Sequence, residues 1–593
     1  MIKRMDKPIS ISPNQQKIRI MYTIKKIYLL GLGIILLLTG SCSDSFLEQS
    51  PQGQLADDQI NNRKGVEWLL VGAYGLMNGN ASGTWGNYAS APSMWLFGEL
   101  AGGNAHKGSE PGDQATMLDI ERHRAIPVNE HLSSMWNNYY EGITRCNTTL
   151  RALYRLQESG SEKFSAERAT EIEAEAKMLR GHYYFFLWRV FKNIPYIDET
   201  LLTEEAANVE NNVDVLPKIE ADFRFAIDNL TPSKPLGEIG RVDQIAAKAY
   251  LGKLYLYQGK NAEALALFKD VIASRSDLKD IPYLNNFDVK TENGPEAIFT
   301  AQHIINPNGS GDNANVGDML SGLYGSAPVN CCGFFQPSFD LVNSFRVTAN
   351  GLPMLDYGYR NDPYLSDFGL SSSEKQNYQV DRSLAVDPRL DYTVGRRGVP
   401  YHDWGIFPGD PWIRDAASAG PFVAYKAMIN QADFAGNTAN GAPYITSLDV
   451  NIIRLADVYL MAAEAALDTD LNYALDRVND VRIRAAKIPS KEANGTPVAA
   501  YNVKPYASFP DRDYAMNAIQ FERRLELALE GHRFFDLVRW DNAKPVLESY
   551  SQFEGEFLDL NQGISFEEKN KYFPIPQEQI DRSGGSLTQN PGY

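Results

Sequence analysis

The stretch IQFERRLELALEGHRFFDLVRW, residues 519–540, places Glu522, Glu526 and Glu530 four residues apart. On a helix that spacing lines the three acids along one side, while Phe521, Leu525, Ala528 and Leu529 build an apolar side. Clustered carboxylates can serve as general acids and bases. Here they alternate with Arg533, Asp536 and Arg539 among Phe534, Phe535, Leu537 and Trp540. Unpaired charges beside so much apolar surface would be costly to desolvate, so the pattern also fits a helix–helix seam of partly buried ion pairs. Without an accompanying nucleophile motif, the seam is the expectation and a catalytic carboxylate cluster its rival.

The wider sequence offers little enzyme chemistry. A glycosidase needs two carboxylates about 5–10 Å apart, and with 74 acids some pair will qualify by chance. No HExxH, GxSxG, phosphate loop or calcium-loop pattern singles one out. His106, in the Gly-rich ELAGGNAHKG of residues 99–108, reads as a solvated loop histidine, with a ligand contact as the alternative. Four cysteines, Cys42, Cys146, Cys331 and Cys332, form neither a disulfide framework nor a CxxC metal site, so no metal or cofactor is expected. Cys331 and Cys332, beside Phe334 and Phe335, are either two thiols or a vicinal disulfide presenting a hard apolar plate.

The net charge is −17, and the first 41 residues hold seven of the 57 Lys/Arg but one of the 74 acids, which leaves −23 on the remainder. Such a surface repels phosphate backbones, and no basic stripe interleaved with aromatics offsets it, so nucleic acid is not an expected partner. Aromatics are plentiful, at 31 Tyr, 27 Phe and 8 Trp. That exceeds the needs of a simple helical scaffold and leaves rings for a gripping surface.

These side chains must be held by something, and the chain in order shows what. Residues 1–41 read as a signal peptide, with Met21 a second, more conventional start: Lys25 and Lys26 precede an apolar run from Ile27 to Leu38, too short to span a bilayer. Cys42 follows small residues at the end of that run, which resembles a bacterial lipobox although Leu38 stands four residues before the Cys. Residues 42–65 then form an extended tether. Apolar residues recur at helical spacing over 66–79, 135–156 and 167–195, and residues 80–130 between them read as long loops.

AAKAYLGKLYLYQGKNAEALALFKDVI, residues 246–272, carries tetratricopeptide spacing in Leu251, Gly252, Tyr255, Gly259, Ala264 and Phe268; residues 452–485 repeat the idea. The expected fold is mainly α, a tetratricopeptide-like helix-pair solenoid. Residues 66–300 and 451–593 supply the helices, and 301–450 a loop-rich, partly β insertion expected to face the substrate.

The pattern ER..EL..EG.R..DL.RW at 522–540 resembles the C-terminal signature of the SusD/RagB family, surface lipoproteins that bind nutrients for an outer-membrane transporter. Other family landmarks are in register: Ala73–Tyr74; Trp136, Tyr139, Ile143 and Asn147; Arg180, Tyr184, Phe185, Leu187 and Pro195; DPRL at 387–390; YFPIPQEQI at 572–580; and LTQNPGY at 587–593. The resemblance implies a lipid on Cys42, a surface-exposed position on the outer membrane, capture of oligosaccharide without bond cleavage, and hand-off to a SusC-like TonB-dependent barrel. A peptide ligand within the same family, or a surface glycoside hydrolase, are the alternatives.

Sugar sites need aromatic faces flanked by polar groups. The expected glycan contacts are accordingly Trp85, Tyr88 and Asn104 in the early loop, and Tyr324, Tyr359, Tyr401, Trp404, Trp412 and Arg414 in the insertion. Trp404 and Trp412 stand out, because Gly405, Pro408, Gly409 and Pro411 argue against a regular buried element there.

Overall fold

Helix starts follow local side-chain chemistry. In the computed structural model, α1 (Arg63–Gly75) begins where the Asn62 side chain accepts the Gly65 N–H at 3.0 Å, and it buries Val66, Leu70 and Ala73. Next come α2 (Glu130–Ser159), α3 (Ala166–Phe191) capped by Ser165, α4 (Leu216–Asn229) with Pro217 in its first turn, α5 (Gln244–Tyr257) capped by Asp243, and α6 (Asn261–Ala273). After the insertion follow α7 (Leu455–Ala465), α8 (Leu471–Ala485) capped by Asp470, α9 (Arg512–Glu526) capped by Asp511, α10 (Arg533–Arg539) and α11 (Ala543–Glu554). The structure describes residues 61–79, 88–159, 162–559 and 564–593, with isolated positions at 14, 17 and 21. Cys42, the tether up to residue 60 and Trp85 lie outside the described residues. Among those described, no helix is long and apolar enough to cross a membrane.

The helices stack in sequence order, α1 on α2 and so on through α9. Small residues set the spacing: a Cβ on Gly252 of α5 would lie 2.6 Å from the Phe268 ring of α6, and one on Gly181 of α3 would lie 2.5 Å from Phe223 of α4. The fold is mainly α, as expected, and α6 packs directly on α7 although residues 274–454 separate them.

Four short strands explain how so long an insertion is accommodated. They are β1 (Ala105–Gly108), β2 (Ala297–Ala301), β3 (Phe334–Pro337) and β4 (Val450–Arg454). β2 and β4 pair antiparallel, so the insertion leaves and returns at one place. β1 pairs antiparallel with β3, with Gly108 opposite Phe334.

Two expectations are corrected. The three acids do not share a helix: α9 ends at Glu526, and Leu529 (φ 63) and Gly531 (φ 80) turn the chain left-handed, which leaves Glu530 in the turn. A Cβ on Gly531 would lie 2.1 Å from the Ser93 carbonyl oxygen, so the close approach requires glycine. Nor is the segment after residue 88 a set of loops. A π-helical turn at Trp95–Leu100 is buried, and the Glu99 carboxylate accepts the backbone N–H groups of Leu529, Gly531 and His532 at 3.1, 2.7 and 3.0 Å.

The acids do form a seam, and a deeply buried one. Glu526 binds Arg389 (2.9 Å), Arg454 (2.7 Å) and Arg484; Glu522 binds Arg389 and Arg482, each at 2.7 Å; Glu530 binds Arg454 (2.7 Å) and Lys426 (2.6 Å). Burial works against charge on Glu526, but Arg484, Arg454 and Arg389 outweigh it and hold its carboxyl well below the usual range. Glu296, just before β2, joins through Arg454 and Arg484. Arg389 also holds Asp387 at 2.7 Å, which gives the DPRL landmark a structural role.

Removing one partner would leave buried charge uncompensated. Arg389→Ala is expected to cost about 3–5 kcal/mol of stability in urea unfolding at neutral pH. Arg512→Ala, which breaks the half-exposed Arg512–Asp468 pair, should cost less than about 1 kcal/mol; equal losses would contradict the network's role.

Candidate functional site

The expected contacts fall into two groups. Asn104, Tyr359 and Tyr401 are buried at 1%, 1% and 0% exposure, which corrects their placement on a ligand-facing loop. Asn104 accepts from Arg524 (3.0 Å) and donates to Glu99 (2.9 Å); Tyr359 donates to Asp340 (3.1 Å); Tyr401 donates to the Ala424 carbonyl (2.6 Å). Their hydroxyl and amide groups are engaged within the fold, and no ring face of the two tyrosines meets solvent.

Trp404 and Trp412 are also drawn inward. Residues 398–407 fold as a tight hairpin, with Tyr401 N–H donating to Gly405 O and Phe407 N–H to Val399 O, both at 2.9 Å. Its rings collapse into a satellite core of Tyr401, Trp404, Phe407, Trp412 and Tyr425. Glycine and proline here shape a turn that packs, rather than one that projects.

Tyr88, Tyr324 and Arg414 remain half-buried, and the fold gathers them. The Arg414 guanidinium lies 5.3 Å from the centre of the Tyr324 ring. Its Nη1 donates to Ser109 Oγ (2.9 Å) and Asp113 Oδ2 (2.6 Å), and its Nη2 to Glu110 Oε1 (2.8 Å). Burial, Asp113 and Tyr444 together raise the Tyr88 hydroxyl above its ordinary pKa. Tyr444, half-buried, borders Gly322, where a Cβ would lie 2.9 Å from its own Cβ and 3.1 Å from that of Cys331. The sulfur atoms of Cys331 and Cys332 lie against each other at the edge of this patch.

Each part is positioned by a nearby element. β1 runs into Ser109–Asp113, and β3 follows Cys331–Gly333; Ser109 N–H donates to Gly333 O at 2.6 Å. Backbone bonds from Tyr324 to Trp412 O (3.2 Å) and from Ser326 to Pro411 O (3.0 Å) fasten the 321–333 loop beside Arg414. Beneath, Lys107 Nζ donates to the carbonyls of Glu110 (2.9 Å) and Asp113 (2.6 Å), and burial pushes its pKa down to about 8.

His106, expected in solvent, is 2% exposed and clamped between Glu121 and Glu554, each 3.0 Å away. Burial disfavours its charge, but the hydrogen bonds to Glu121 and Glu554 outweigh it and raise the pKa to about 9. A second perturbed group is a carboxylate pair: Glu292, raised to about 8 by burial and Asp449, accepts the Asp449 N–H at 2.8 Å, and burial raises Asp449 to about 6. Cavity-lining residues around it include Asn286, Asn293 and Asn451 but no exposed ring stack.

Tyr444, Glu110 and Asp113 are patch residues that the sequence does not single out. Tyr444 sits in the strand-like APYIT run, and the two acids lie about 300 positions from the arginine they hold.

A helix-pair stack with a patch of this kind defines a class of binding protein, and comparison with known proteins places the chain within it. Residues 295–593 match the profile described as SusD family, and residues 45–256 match one described as starch-binding associating with outer membrane. A SusD-like protein of Bacteroides ovatus is 23% identical over 529 residues, covering 86% of this chain and 82% of that one. SusD-like protein P2 of Formosa agariphila is 24% identical over 576 residues, covering 94% and 98%. Among solved structures, a laminarin binding SusD-like protein is 26% identical with a TM-score of 0.63, covering 90% of this chain and 100% of that chain. Surface glycan-binding protein A from Bacteroides thetaiotaomicron, solved with laminarihexaose, shares the fold at 18% identity and a TM-score of 0.60, covering 89% and 99%. The chain belongs to the SusD family.

His106 supplies a pH test. A histidine raised from 6.5 to about 9 in the fold stabilises it fully below pH 6.5, and that contribution is lost as the pH rises through about 9. The stability difference between the wild-type chain and His106→Gln should therefore shrink between pH 6 and pH 9.5, measured by urea unfolding; a difference that grows would contradict the charged clamp.

Proposed function

We propose that this chain is a cell-surface glycan-binding lipoprotein of the outer membrane, anchored through lipid on Cys42, which captures oligosaccharide and passes it to a SusC-like TonB-dependent transporter. It binds and hands off; it breaks no bond. The observation that carries this is the half-buried Tyr324 lying 5.3 Å from the Arg414 guanidinium, with half-buried Tyr444 bordering the same 321–333 loop at Gly322 and half-buried Tyr88 under the electrostatic influence of Tyr444 and Asp113. Tyrosine rings can cover the apolar faces of sugar rings, while their hydroxyls and the neighbouring carboxylates bond to sugar hydroxyls. Trp85, three residues before Tyr88, stays in the proposed contact set. Trp412 supports the site through its backbone, since Trp412 O receives the Tyr324 N–H.

The relatives that bind laminarin or laminarihexaose support a glycan ligand. Moderate affinity suits the role, because a ligand held too tightly leaves too slowly for transport. A second reading, a surface glycoside hydrolase, draws on the Glu292–Asp449 pair, whose raised pKa values suit an acid and a base.

Affinity electrophoresis of the full chain in detergent against a panel of polysaccharides distinguishes these readings. Tyr88→Ala and Tyr324→Ala should each weaken binding about tenfold, the equivalent of about 1.4 kcal/mol. Tyr401→Ala should act mainly through stability. Unchanged affinity in both patch variants would refute the site, and reducing ends released by the chain but not by Glu292→Gln would favour the hydrolase.

A further inference from the structure

We propose that the patch selects uncharged glycans and rejects uronate-rich and sulfated ones; this rests on the glycan-binding reading above. The argument is one of charge placement. Arg414 is a cationic side chain at the half-exposed face, and three of its five N–H donors are committed within the fold: Nη1 to Ser109 and Asp113, Nη2 to Glu110, with the guanidinium 5.3 Å from the centre of the Tyr324 ring. Lys107, the other cation at this end of β1, is 1% exposed and spends its Nζ on two backbone carbonyls of the same loop.

The acids, by contrast, face outward. The side chains of Glu110 and Asp113 are 56% and 31% exposed, so their oxygens stand at the rim where a sugar would lie. What the face presents is therefore carboxylate and phenol oxygen, with the positive charge tied down between two acids. Hydroxyls of a neutral sugar donate to those oxygens. A uronate carboxylate or a sulfate ester brings only acceptors and like charge, and would have to displace Glu110 or Asp113 to reach Arg414. The chain's net charge of −17 adds repulsion at longer range.

A site built for anionic sugar would be expected to show the reverse, an arginine or lysine with no acidic clamp. The clamp also yields a switch of specificity. Neutralising Glu110 and Asp113 removes the two charges that clamp the Arg414 guanidinium while leaving the tyrosine rings and the carbonyls that hold Lys107 in place.

The test is affinity electrophoresis of the full chain in detergent at about 0.15 M salt, where exposed charges still interact over about 8 Å. The probes are laminarin, pullulan, polygalacturonate and chondroitin sulfate. Retardation by a neutral probe and by neither polyanion is the expected result. The Glu110→Gln/Asp113→Asn variant should gain affinity for at least one polyanion by tenfold or more, and a further Arg414→Gln should abolish that gain. Unchanged circular dichroism and melting of each variant exclude misfolding as the cause.

Binding of either polyanion by the wild-type chain as tight as that of the neutral probes, and weakened by Tyr324→Ala, would overturn the inference while leaving glycan capture intact. Failure of the double variant to gain polyanion binding would overturn the clamp argument. Retardation by none of the four probes would count against the glycan-binding reading and remove this inference with it.

Discussion

The structure turns on a buried group of ions in which Arg389, Arg454, Arg482 and Arg484 face Glu296, Glu522, Glu526 and Glu530. These charges come from separate parts of the chain: α8, α9 and the turn after it, the end of β4, the approach to β2, and the DPRL segment of the insertion. Well-packed apolar side chains of similar volume could stabilise the same space at least as well. What ions add is directionality, since each guanidinium fork fits only a carboxylate in the right place. We take their role to be register: the insertion folds correctly only when Arg389 reaches the acids of α9.

From there, a continuous set of contacts leads to the patch. Arg524, next to the central acids on α9, binds Asn104 and Asp340, which stand just before β1 and just after β3. The opposite ends of those two strands carry the Ser109–Asp113 loop and the Cys331–Gly333 turn, and Arg414 and Tyr324 close the gap between them. His106, inside β1, ties the same strand to Glu554 of α11, whose other oxygen accepts the Asp340 N–H. The helical stack therefore fixes both loops through a few charged side chains, although neither loop has regular structure.

Much of the helical framework was legible in sequence because its signal is local. Apolar periodicity and the Gly252–Phe268 spacing both act within one or two helices. The end of α9 was hidden because it depends on a left-handed Leu529 and on the approach of Ser93 to Gly531, a contact between residues more than 400 positions apart. The burial of 89–109 was hidden by composition: glycines that let backbones pack closely look the same in sequence as glycines of a solvated loop.

The patch was legible in part. Tyr88, Tyr324 and Arg414 could be named from residue type, but so could Asn104, Tyr359 and Tyr401, which the fold takes inside. An aromatic beside a glycine signals a turn and says nothing about which way the ring points. The fold family was recoverable because motifs such as DPRL and the 522–540 stretch hold residues of the ion network, whereas the patch residues are scattered from Tyr88 to Tyr444 with no spacing that links them.

Hydrogen exchange of the full chain with and without its tightest-binding glycan tests the central claim, a preformed surface held by a buried charged frame, most directly. The account predicts added protection in residues 88–115, 321–333 and 410–446, with no change around Arg454, Glu522 and Glu526. Protection centred instead on residues 285–296 and 449–452, or a broad tightening of the helical stack on binding, would contradict it.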